Sequence, residues 1–99
     1  MELKKLVKQE IIKIDPNAEV ILFGSRARGD FRKDSDWDFL ILLERPLTPM
    51  LKSLILDNLY DLELQNDSLI SPIIHTKSEW ENLAITPLYQ MIKKEGMQA

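Results

Sequence analysis

This 99-residue sequence predicts a small α/β fold of the α+β kind, a mixed β-sheet covered by helices. Three observations predict it: apolar residues recur at helical spacing in two stretches, short apolar runs between them read as strands, and Gly and Pro punctuate the joins. Leu3, Leu6, Val7, Ile11 and Ile14, with Lys and Glu between them, give an amphipathic first helix that stops at Asp15-Pro16-Asn17 and turns its apolar face to the sheet. Glu19 to Phe23 is the first strand and Trp37 to Leu43 the second. The second is almost continuously apolar, as expected of a strand covered on both faces. Pro46 and Pro49 bracket a turn, and Leu51, Leu54, Ile55, Leu59 and Leu62 predict a second helix from about Met50 to Gln65. Leu69 to Thr76 reads as a third strand, which Pro72 restricts to an edge or a bulge. After Ser78 the character changes. Thr86-Pro87 before Leu88, Tyr89, Met91 and Ile92, with Gly96 behind them, predicts a short capped helix with proline first and a glycine stop. No internal repeat, low-complexity tract or linker appears, so the expected organisation is one domain over residues 1–99. Its core runs to about residue 76, and a C-terminal extension over 77–99 carries the short helix.

Composition narrows the function. Sixteen acidic residues against thirteen basic give a net charge of −3, and a nucleic-acid polymer normally needs a basic footprint, so that class of substrate is disfavoured. The absence of cysteine excludes disulfides, Cys-based zinc sites and a Cys nucleophile. No signal peptide and no bilayer-length apolar run are present, which makes the cytoplasm the default and a membrane role unexpected. A chain this short has no room for a second substrate-recognition domain, and it is expected to borrow that surface from a partner protein or from its own oligomer.

Residues 24 to 38 carry the chemistry: Gly24-Ser25-Arg26-Ala27-Arg28-Gly29-Asp30-Phe31-Arg32-Lys33-Asp34-Ser35-Asp36-Trp37-Asp38, held between the two strand-like runs. Gly24 permits a sharp turn and a close ligand approach, and Ser25 offers a hydroxyl and a helix-starting N–H to a phosphate oxygen. Asp36 and Asp38 stand two apart, so in extended backbone both carboxylates face one side. Two hard oxygen donors beside a phosphate cradle suit Mg²⁺, with Mn²⁺ as a substitute, and the implied reaction is metal-assisted phosphoryl or nucleotidyl transfer. Ser35 is expected to cap the turn and fix the approach of Asp36. Arg26, Arg28, Arg32 and Lys33 form a local basic cluster of a size that suits a triphosphate.

On Gly24-Ser25, Ala27-Arg28-Gly29 and Ser35-Asp36-Trp37-Asp38, in that order and spacing, the chain resembles the minimal nucleotidyltransferase family of the DNA polymerase β-like superfamily. The resemblance implies a nucleotidyltransferase-like fold and an enzyme that binds an NTP, with ATP expected, together with Mg²⁺. Gly24, Ser25, Arg28 and Ser35 would bind the nucleotide, and Asp36 and Asp38 would be the catalytic and metal-binding residues. It also implies transfer of AMP to a hydroxyl on a partner protein and pairing with a helical HEPN-type protein in a toxin–antitoxin module. Active members add a third carboxylate from the strand after the second helix, and the matching position here is Ser71. An alternative function follows, a catalytically weak antitoxin-type protein that acts by binding.

Overall fold

The computed structural model describes residues 2–99. Its elements follow in the order α1 (Leu3–Ile14), β1 (Glu19–Phe23), α2 (Ser25–Arg28), β2 (Trp37–Leu43), α3 (Pro49–Asn66), β3 (Ile70–Thr76), α4 (Lys77–Glu81), α5 (Pro87–Glu95) and β4 (Met97–Gln98). The strands form one four-stranded sheet in the order β3-β2-β1-β4. β2 runs antiparallel to β1 and parallel to β3, while β4 runs antiparallel to β1, so the sheet is mixed.

Side-chain alternation along β2 divides the core in two. Phe39, Ile41 and Leu43 join Val7, Ile11, Ile55 and Leu59 beneath α1 and α3. Leu40 and Leu42 face the other way and meet Phe23, Trp80 and Ile92 beneath α4 and α5. The central strand is therefore covered on both faces, which accounts for its unbroken apolar sequence. Pro72 lies on β3, an edge strand, where its missing N–H disrupts least.

Caps set the helix boundaries. Thr48 accepts the Leu51 N–H at 3.1 Å ahead of Pro49, and Thr86 accepts the Tyr89 N–H at 3.3 Å ahead of Pro87. The α3 stripe of Leu51, Ile55, Leu59 and Leu62 is buried, but Leu54 points outward and is 48% exposed. Three elements go beyond the sequence reading. α2 is a single turn, α4 opens on a capping box between Thr76 and Glu79, and β4 adds two residues to the edge of β1. The segment after residue 76 thus covers one face of the sheet and supplies its fourth strand. Among the described residues no helix is long and apolar enough to cross a membrane.

Candidate active site

Because β1 and β2 are antiparallel, the last residue of β1 faces the opening of β2, with Phe23 opposite Asp38. The residues that follow β1 and those that lead into β2 therefore meet at one end of the sheet. Gly24 makes this join with φ 75° and ψ −158°, backbone that a side chain would strain. A Cβ at Gly24 would also overlap the Asp38 carboxylate at Oδ2. Two independent requirements thus fall on one glycine. Ser25 then opens the one-turn helix α2, which ends at Gly29 with φ 88°.

The turn between α2 and β2 is tied from within. The Arg32 N–H donates to Ser35 Oγ at 2.8 Å, and the Ser35 N–H returns to the Arg32 carbonyl at 3.1 Å. Ser35 acts here as the turn cap that precedes Asp36. Arg26 holds the same turn from α2. Its guanidinium donates to the carbonyls of Lys33 and Ser35, each at 3.1 Å, and lies over the rings of Phe31 and Trp37 at 4.3 and 4.5 Å. Arg28 instead reaches Asp30 at 3.3 Å and Glu95 Oε1 at 3.1 Å. The basic cluster expected from sequence is consequently divided. Arg26 and Lys33 border a cavity of about 380 Å³ whose other wall is Tyr60, Leu64 and Leu69, on the α3 side of the sheet. Arg28 stays with the cradle.

Asp36 is exposed just before β2, and Asp38 is half-buried as the second residue of the strand. Asp38 alternates with Leu40 and Leu42, so its side chain belongs to the face covered by α4 and α5. Burial pushes its carboxyl above the ordinary carboxylate range, the negative charge of Asp36 pushes it further, and Arg28 partly offsets both. Ser71 is the neighbour of Asp38 on β3 and donates its hydroxyl to Asp36 Oδ2 at 2.8 Å. The position expected to carry a third carboxylate therefore stands beside the pair and holds a hydroxyl. Glu63, on α3 ahead of this strand, accepts the Ile70 N–H at 2.8 Å.

The donor set fits a hard divalent cation. It is all oxygen, and the Asp36 charge raises the cost of ionising Asp38, which a cation between them would relieve. Two carboxylates leave the remaining ligands to water and phosphate, as Mg²⁺ prefers. Among the described residues no group of three or more His, Cys, Asp or Glu side chains forms a metal cluster.

One residue at this end has no counterpart in the sequence reading. Glu95, at the end of α5, accepts the Gly24 N–H at 3.2 Å as well as the Arg28 guanidinium. A contact across 71 residues leaves no local signal. Trp80 and Tyr89, by contrast, pack with tilted rings whose centroids are 5.0 Å apart, and His75 stacks on Trp80 at 5.9 Å. Trp80 belongs to the second core.

Known proteins resemble this chain in sequence and in fold. The family model of the nucleotidyltransferase domain matches residues 2–98. A Methanocaldococcus jannaschii protein provisionally named a protein adenylyltransferase is 42% identical over 80 residues, covering 79% of this chain and 81% of that protein. The protein adenylyltransferase MntA of Aphanizomenon flos-aquae is 33% identical over 73 residues, covering 74% of this chain. The match spans only 41% of MntA. The fold recurs, with a TM-score of 0.55 at 22% identity, in the solved structure of tri-AMPylated Shewanella oneidensis HEPN toxin in complex with MNT antitoxin, covering 96% of this chain and 70% of that one.

Proposed function

The chain belongs to the nucleotidyltransferase domain family, and on that premise we propose that it binds ATP with a divalent cation and transfers AMP to a hydroxyl on a partner protein. The observation that carries this reading is the packing of the Asp38 carboxylate against Gly24, which places one of two adjacent carboxylates against the turn that follows β1. Gly24, Ser25 and Arg28 bind the phosphates, and Ser35 shapes the turn that presents Asp36. Divalent cations serve the family generally. Asp36 and Asp38 would hold the ion here, which we assign as Mg²⁺ with Mn²⁺ as a substitute. When bound, it would neutralise phosphate charge and polarise the α-phosphate.

In the transfer, the acceptor oxygen attacks the α-phosphorus and forms a new O–P bond. The bond from that phosphorus to the bridging oxygen of the β-phosphate breaks, pyrophosphate leaves, and the hydroxyl proton passes to solvent. The contribution of the chain is positioning and charge compensation. The acceptor in this proposal is a helical HEPN-type protein, and the pair forms a cytoplasmic toxin–antitoxin module. The names of the adenylyltransferase relatives and of the toxin–antitoxin complex support that choice.

Ser71 favours a second reading, a binder with weak catalysis. Its hydroxyl engages Asp36 where a third carboxylate would otherwise bind metal and activate the acceptor. Incubation with labelled ATP, Mg²⁺ and the partner separates the two. On the transfer reading the partner is labelled, and Asp36→Ala with Asp38→Ala abolishes the label. On the binder reading the protein binds Mg·ATP and labels only as Ser71→Asp. Labelling that persists in the double variant overturns the assignment of the site.

A further inference from the structure

We propose that Glu95 sets the nucleotide affinity of this site as a built-in competitor for phosphate, an inference that rests on the nucleotide-binding reading above. Its carboxylate accepts from the Gly24 N–H at 3.2 Å and from the Arg28 guanidinium at 3.1 and 3.4 Å, and these are two of the donors assigned to the triphosphate. An anion already rests on the anion-binding groups. The side chain is only 18% exposed, so its charge is screened less than that of a fully solvated carboxylate and repels an incoming phosphate.

Two features make the contact releasable. Glu95 is the last residue of α5, where the negative end of the helix dipole disfavours a carboxylate. The Gly24 and Arg28 bonds hold it there against that field. The backbone beyond it is fixed independently: the Gly96 N–H donates to the Ile92 carbonyl at 2.7 Å, and Met97 and Gln98 pair with β1. Displacement therefore needs a side-chain rotation and no unfolding of α5. A triphosphate, with more charge and more acceptors, would take the donors and turn Glu95 out to solvent.

Calorimetric titration with Mg·ATP and with inorganic tripolyphosphate tests this. Glu95→Gln keeps the shape and an oxygen for the Gly24 N–H while it removes the charge, and it should tighten both ligands by roughly tenfold. Unchanged or weaker binding in a folded Glu95→Gln protein, with measurable binding by the parent, makes Glu95 a structural tie and overturns the proposal alone. Absence of binding in both proteins removes the nucleotide site and this inference with it. Carbon-13 NMR of the unmodified protein gives a readout that needs no variant. The Glu95 side-chain carboxyl resonance should move as Mg·ATP saturates the site, and a stationary resonance at saturation overturns the proposal.

Discussion

At the end of β2 that leads into Glu44, the buried carboxylate of Asp15 accepts three backbone N–H groups, from Glu44 at 2.8 Å, Arg45 at 3.0 Å and Asn17 at 3.1 Å. At the opposite end of the strand, Asp38 is half-buried and faces a second carboxylate. Burial alone would raise both. For Asp15 the N–H groups of Arg45, Asn17 and Glu44 reverse it and hold the carboxyl below its ordinary range. For Asp38 burial and the Asp36 charge act together, and its carboxyl rises. One carboxylate is compensated in full by donors within the fold, and the other is offset only in part, by Arg28. Asp15 closes the junction between α1 and β2, while Asp38 stores unfavourable charge at a glycine turn.

The largest effect is expected at Asp15. Asp15→Ala leaves three part-buried backbone donors without their acceptor and should cost about 3 kcal/mol of stability in urea unfolding. Nucleotide affinity of the folded fraction should not change. The sign of the pH dependence follows from the lowered carboxyl. The Asp15 contribution is complete above the unfolded value of about 3.9 and is lost as pH falls through the folded value, so the variant should lose part of the acid limb of the melting profile.

Gly24→Val should cost about 2 kcal/mol through the strained φ and should abolish Mg·ATP binding, because the new side chain displaces the Asp38 carboxylate. Retained affinity in the folded variant would remove the turn from the site. The smallest effect is expected at Asp38, with the opposite sign. Asp38→Asn relieves the charge pair and should stabilise the ligand-free protein by up to about 1 kcal/mol. A raised carboxyl contributes stability below its unfolded pKa and loses it as pH rises through the folded value. The gain should therefore emerge above that value and fade in acid. Destabilisation at neutral pH would put Asp38 in the same structural class as Asp15.

The two ends of β2 also differ in how far sequence reveals them. The candidate carboxylates and Gly24 were legible because they lie in one short segment between two strong strand signals, and strand alternation orients them. The helix stripe of α3 was legible for the same periodic reason, except Leu54, which falls at the margin of the apolar face and turns outward. α4 carries a sequence signal shorter than any apolar period, the Thr76 to Glu79 capping box. α2 and β4 are too short for any period to register. The division of labour between Arg26 and Arg28 depends on where Phe31, Trp37 and Glu95 arrive in three dimensions, as does the part Asp15 plays beneath Glu44.

On the proposed function, Asp36 and Asp38 answer to a cation and a nucleotide jointly. Thermal melting with Mg²⁺, with ATP and with both tests it most directly. The parent should gain more from the two ligands together than from the sum of each alone, and the protein carrying both Asp36→Ala and Asp38→Ala should fold yet show no such excess. An equal excess in the parent and the double variant would remove Asp36 and Asp38 from the site.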